Sequence, residues 1–174
     1  MNTVLIAVIG NTGNEPEAVR QSLEAFGYTV LTKYIGRPND FVDVLAGYLP
    51  LDPDYIILSC HGENGEIIMP ELGESVYTKD EPRGNFTAEH IRDHLRLTGK
   101  VIVNLGCTTG ESDLAGAFSA SNTYISPADY IDGRAALFFT IRLFYEIAQN
   151  GRSVSDAYKI ACATDSETSI FGLT

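Results

Sequence analysis

Two short apolar runs in this sequence each end in a residue able to do acyl chemistry. Asp54-Tyr-Ile-Ile-Leu-Ser-Cys60 delivers His61-Gly62 into a polar, glycine-rich stretch, and Lys100-Val-Ile-Val-Asn-Leu-Gly106 stops at Cys107-Thr-Thr-Gly110. Both runs have the length and β-branched content of buried strands. An imidazole beside a thiol is the minimum equipment of a cysteine nucleophile: the ring moves the proton and the sulfur attacks an acyl carbon. The two residues are far apart in the chain. They can meet only if both runs are neighbouring strands of one parallel sheet, whose carboxyl ends lie side by side.

The remaining pattern supplies such a sheet. Thr3–Ile9 reads as a first strand, residues 15–26 as a helix with Val19, Leu23 and Phe26 on one face, and Tyr28–Ile35 as a second strand. Asn14 is placed to cap that first helix and Gly27 to end it. Asp40–Leu49 reads as a second helix with Phe41, Val44, Leu45 and Tyr48 inward, closed by Pro50 and Pro53. After His61, residues 62–86 break the rhythm with four glycines and two prolines around Glu66-Ile-Ile-Met69 and Ser75-Val-Tyr-Thr78, which predicts a small β-hairpin and a loop. A helix capped by Thr87 then runs through Leu97 before the Cys107 strand. A short helix follows over Ser112–Ala120 and a fifth strand over Asn122–Ser126. A long helix spans Gly133–Gln149 with Leu137, Ile141, Phe144 and Ala148 on one stripe, and a last helix starts at a Ser153 cap and runs to Ala163. Strand and helix alternate, the mark of a three-layer α/β sandwich around a mostly parallel sheet of five to six strands.

The sequence resembles the caspase-like cysteine peptidases, a group that includes caspases, metacaspases, legumain, gingipains, clostripain and separase. The resemblance is carried by Ser59-Cys-His-Gly62 and Asn104-Leu-Gly-Cys-Thr-Thr-Gly110 at the ends of their strands. Gly116-Ala-Phe118, Tyr124-Ile-Ser-Pro127 and Phe144 through Tyr158 follow in an order most similar to bacterial CHAT domains. It covers residues 54–161. It implies a cysteine endopeptidase with Cys107 as nucleophile, His61 as proton carrier, and an oxyanion held by the amides of Gly62 and Cys107. Backbone donors aimed at that oxygen are worth a few kcal/mol, and glycine after the histidine lets main chain approach the substrate. Many relatives carry an acidic residue close before the cysteine; here the residues are Asn104, Leu105 and Gly106. The acids Glu63, Glu111, Asp113, Asp129 and Asp132, with Asp80 and Glu81, fall in loops expected at the same sheet edge. They point to a basic residue at P1, on the acyl side of the cleaved bond.

Composition bounds the rest. At 174 residues and 44% hydrophobic, the chain is expected to form a single domain over residues 1–174. The beginning, Met-Asn-Thr-Val-Leu-Ile-Ala-Val-Ile-Gly, reads as a first strand rather than a signal peptide or membrane span, so a soluble, cytoplasmic protein is expected. Three cysteines without Cys-x-x-Cys spacing suggest free thiols in a reducing compartment. A formal net charge of −11 disfavours nucleic acid and anionic lipid, leaving a peptide or protein substrate, a second copy or a regulatory protein as partners. His90 and His94 stand one helical turn apart but have no third ligand at metal spacing, so neither a metal nor a cofactor is expected. Two other readings compete with the peptidase. One is a catalytically inactive binding module of the same fold. The other is a flavodoxin-like FMN protein, suggested faintly by Ile9-Gly-Asn-Thr-Gly-Asn14, in which Glu15 and Glu17 oppose a phosphate at the helix start.

Overall fold

In the computed structural model, which describes residues 2–174, β1 (Thr3–Ile9) runs through the interior, and Val4 to Ile9 are each 3% exposed or less. A strand apolar on both faces must be covered on both faces. Helices α1 (Glu15–Ala25), α5 (Gly133–Asn150) and α6 (Val154–Cys162) bring Val19, Leu23, Phe139, Leu143, Phe144, Ala157 and Ala161 to one side of the sheet. Helices α2 (Pro38–Leu45), α3 (Ala88–His94) and α4 (Ser112–Ser119) bring Phe41, Val44, Leu45, Ile91, Leu114 and Phe118 to the other. The sheet adds β2 (Thr29–Ile35), β3 (Tyr55–Ser59), β6 (Val101–Asn104), β7 (Thr123–Pro127) and β8 (Phe171–Leu173). Its order is β2-β1-β3-β6-β7-β8, parallel throughout except for β8. The three-layer sandwich expected from the alternation of elements is thus present with six strands.

Several elements differ from the sequence reading. Helix α2 starts at Pro38, whose fixed φ suits a first helical turn, and ends at Ala46 before Gly47 turns left-handed at φ +78°. Tyr48 therefore lies beyond the helix and is 75% exposed instead of inward. Helix α3 stops at His94 because Leu95 is extended, so Leu97 is buried from a loop. The inward stripe of α5 is Ala136, Phe139, Thr140, Leu143 and Phe144; Leu137 and Ile141 are only partly buried and Ala148 is exposed. The apolar residues of α5 extend around more than one face, and its position between α1 and α6 selects which of them turn inward. Asn14 precedes α1 without a side-chain cap, whereas Ser153 Oγ accepts from Asp156 N at 3.1 Å. The strand β8 was not anticipated. Phe171 anchors it by stacking on Phe139 with ring centroids 3.8 Å apart.

The hairpin after His61 is smaller than Glu66–Thr78. It consists of β4 (Gly62–Glu63) and β5 (Glu66–Ile67), joined by Asn64-Gly65 with φ of 52° and 71°. Two successive left-handed residues, Asn then Gly, make the turn that matches strand twist. Ser75–Thr78 is not a strand. Glu81 fastens that stretch to the start of α2: its buried carboxylate pairs with Arg37 and accepts from Asn39 N at 3.1 Å and Thr78 N at 2.9 Å.

Candidate active site

The register of β3 against β6 sets the two candidate residues beyond neighbouring strand ends. Leu58 lies opposite Asn104, and the pairing continues as Leu105 N donates to Leu58 O at 3.0 Å. His61 and Cys107 each lie three residues beyond this pair, in the loops that leave adjacent parallel strands. The strand ends are in close contact there. A Cβ on Gly62 would stand 2.2 Å from the Cys107 carbonyl oxygen and 2.7 Å from Thr109 Cγ2, and one on Gly106 would meet Cys60 Sγ at 3.0 Å. Both glycines are required by this close approach rather than by a positive φ. Replacing Gly62 by Ala forces backbone apart, and we expect it to destabilise the fold by about 1–3 kcal/mol, the usual range for overpacking. Urea unfolding checks this, and an unchanged midpoint would mean that the strand ends separate easily.

Buried polar groups hold the Cys107 loop from below. Asn104 is fully buried; its Oδ1 accepts from Gly106 N at 2.9 Å and from the Cys60 thiol at 3.1 Å, and its Nδ2 donates to Tyr124 Oη at 3.0 Å. Tyr124 Oη donates in turn to Thr109 O at 3.0 Å. A satisfied buried network of this kind fixes one geometry. Thr108, immediately after Cys107, sits at φ +58°, a left-handed conformation unfavourable for a β-branched residue. It is held by Thr108 N to Asp129 O at 3.1 Å and by Gly65 N to Thr108 Oγ1 at 3.1 Å. Local strain of this kind clusters at functional sites.

His61 is oriented by the turn after β1. Its Nε2 lies 2.8 Å from the carbonyl oxygen of Asn11. A carbonyl only accepts, so Nε2 carries the proton and Nδ1 is left as the basic nitrogen of the neutral ring. Cys107 is partly exposed, with its thiol 3.7 Å from Ile131 O. Cys60 is 5% exposed, and burial pushes its thiol far above the ordinary range. Cys162 is also raised by burial, and its thiol points to Phe171 O. Thiolate chemistry is thus disfavoured at both.

A cavity of about 210 Å³ opens between these elements, lined by Thr12, Glu15, Cys60, His61, Leu105, Cys107, Ile131 and Gly133. The acids expected beside the reactive pair do not line it. Glu63 is exposed on β4. Glu111 and Asp113 line a separate hollow with Glu66 and Glu89 between the hairpin, α3 and α4. Asp129 accepts from the Tyr130 amide, and Asp132 caps α5, pairs with Arg134 and faces another hollow with Asp165 and Glu167. The carboxylate inside the cavity is Glu15. Its Oε1 accepts from Ser59 Oγ at 2.6 Å, and Ser59 also bonds Thr12 Oγ1 at 2.8 Å. Burial raises its pKa, while the Ser59 bond and the nearby His61 oppose the rise.

In sequence Asn11, Thr12 and Glu15 read only as part of a phosphate turn. Their place follows from the sheet order, which the sequence does not state: β1 neighbours β3, so the turn after β1 shares an edge with His61. That turn now directs a carboxylate toward the strand end, a poor seat for a phosphate. Of the two helical histidines, His90 caps its own helix: its Nδ1 accepts from Thr87 N at 3.2 Å and its ring lies on Phe86, centroids 5.1 Å apart.

No family model and no curated protein sequence matches this chain. Solved structures do. The chain superposes on the Arg-specific cysteine proteinase gingipain R with a TM-score of 0.59 and 10% identity, over 96% of this chain and 43% of that one. On the caspase drICE the TM-score is 0.54 with 18% identity, over 99% of this chain and 86% of that one. The chain thus spans less than half of the gingipain chain it matches. With its six-stranded sheet, flanking helices and the hairpin beyond β3, the chain has the fold of the caspase-like cysteine peptidases.

Proposed function

We propose that the chain is a cysteine endopeptidase of the CHAT type whose dyad is His61 and Cys107. The observation that carries this reading is the shared cavity: both residues line it, at matching positions beyond adjacent parallel strands. In the proposed reaction the Cys107 sulfur attacks the scissile carbonyl carbon as its proton passes to His61. The carbonyl oxygen becomes an oxyanion facing the amides of Gly62 and Cys107. The carbon–nitrogen bond then breaks, the amine leaves with the proton from His61, and water hydrolyses the thioester to restore the thiol.

The acids outside the cavity keep a supporting role in this proposal. Glu63, Glu111, Asp113, Asp129 and Asp132 give the surface around the cleft a negative potential that favours basic substrates on approach. A set of fluorogenic peptides varied at P1 tests the activity. Turnover of any of them supports a peptidase, while binding without turnover favours the second reading, a module that keeps the fold and not the chemistry. That reading is favoured by one observation: the chain spans 43% of the gingipain chain, so the activity of that whole protein does not transfer by likeness alone. No helix among the described residues is long and apolar enough to cross a membrane.

A further inference from the structure

We propose that β2 pairs with the β2 of a second copy of this chain, antiparallel about a two-fold axis at Thr32, making one continuous sheet across two molecules; the proposal stands apart from the peptidase reading. β2 (Thr29–Ile35) is the outermost strand on its side of the sheet. Thr29 N donates to Asn2 O at 3.1 Å, so Thr29, Leu31, Lys33 and Ile35 turn their backbone groups toward β1. Val30, Thr32 and Tyr34 turn theirs outward, and no backbone partner meets them among the described residues. An unpaired row of this kind is a template for another strand, and proteins blunt it with short strands, prolines, bulges or charges. At the opposite edge, β8 is only three residues long. β2 has seven residues in unbroken register with β1, no proline, and Lys33 as its single charge.

The strand is complementary to itself. With Thr32 facing Thr32 of the second copy, Val30 falls opposite Tyr34 and Leu31 opposite Lys33. The outward residues Val30, Thr32 and Tyr34 then form the hydrogen-bonded pairs, each exchanging both N–H···O bonds. Aromatic–β-branched and Thr–Thr pairs are favourable across strands, and like charges directly opposite are not. Centring on Lys33 would set that lysine against its own copy, and centring on Leu31 would leave Tyr34 without a facing strand residue. The pairing also serves two side chains that lack partners. Tyr34 is 70% exposed, and its ring gains Val30 of the second copy. Thr32 Oγ1 is shielded from water yet bonds nothing among the described residues, and a turn about χ1 offers it the facing hydroxyl. A net charge of −11 on each copy opposes the approach, so the pair should be weak at low salt and tighten as salt screens it. Antiparallel pairing points the carboxyl ends of the two sets of parallel strands in opposite directions, and neither cleft lies in the junction.

Sedimentation velocity from about 10 μM to about 1 mM protein should show monomer giving way to dimer. The dissociation constant should fall on the order of 10-fold between about 0.01 M and about 0.15 M salt. Amide hydrogen exchange, read residue by residue at both ends of the concentration range, identifies the surface. In the monomer the amides of Val30, Thr32 and Tyr34 should exchange fast while those of Leu31 and Lys33, bonded to β1, are protected; in the dimer all of them should be slow. Thr32→Pro removes an outward donor without breaking a bond to β1, a change that edge strands tolerate, and should weaken the dimer by about 10–100-fold. Tyr34→Asp alters an exposed side chain and should also weaken it, which keeps the test decisive if Thr32→Pro melts below the wild type. A dimer whose outward amides stay fast, or one that Tyr34→Asp and a folded Thr32→Pro both leave intact, has its interface elsewhere and overturns the proposal. A monomer at every concentration and salt overturns it too, and would leave the edge to an extended segment of a different protein.

Discussion

Cys107→Ala should abolish peptide turnover while leaving the protein folded. The sulfur is the atom that forms the acyl bond in the proposed reaction, and no other thiol can take its place: Cys60 is buried and bonded to Asn104, and Cys162 lies under the last strand against Phe171. The side chain itself contributes little to the fold. It is partly exposed, and its one contact to Ile131 O is a weak sulfur bond. The substitution should therefore change unfolding free energy by no more than about 0.5 kcal/mol, the range for a position free of core or network contacts. Loss of activity with an unchanged melting curve is the expected pair of results, and turnover that survives would exclude a cysteine mechanism.

His61→Ala should lower kcat/KM by about 10²–10⁴-fold, the usual contribution of positioned proton transfer. Here a stability effect is also expected. The ring donates to Asn11 O at 2.8 Å, tying the turn after β1 to the end of β3, and loss of one such bond costs about 0.5–1.5 kcal/mol. The activity loss should exceed what that destabilisation explains, since the variant stays folded at assay temperature. A His61→Ala enzyme with near wild-type turnover would leave Cys107 without its proton carrier and would require another base in the cavity.

The parallel sheet was legible because its strands are uniformly apolar, and the two dyad candidates stood out because both directly follow such strands. The register of Leu58 opposite Asn104 sets the ends of both strands at one edge, where His61 and Cys107 line the same cavity. The acids were harder to place. Glu63, Glu111, Asp113, Asp129 and Asp132 were assigned to the cleft by being loop residues at one edge, but a loop's path is set by bonds that composition does not reveal. The Asp132 cap on α5 and its Arg134 pair are two of these. Glu15 was hidden for a related reason. It reads as the ordinary acidic first residue of a helix, and only the adjacency of β1 and β3 turns it into the carboxylate beside His61. Strand β8 was missed because three residues, Phe171-Gly-Leu173, carry no periodicity; its place follows from Phe171 stacking on Phe139.

The central claim is that Cys107 is a reactive thiol inside a substrate cleft. Iodoacetamide at limiting dose, followed by peptide mass mapping, tests it most directly, with and without a saturating peptide ending in arginine amide. The account predicts that Cys107 is alkylated before Cys60 and Cys162, and that the peptide slows its labelling alone. Earlier modification of Cys60 or Cys162, or labelling of Cys107 that the peptide leaves untouched, would contradict it.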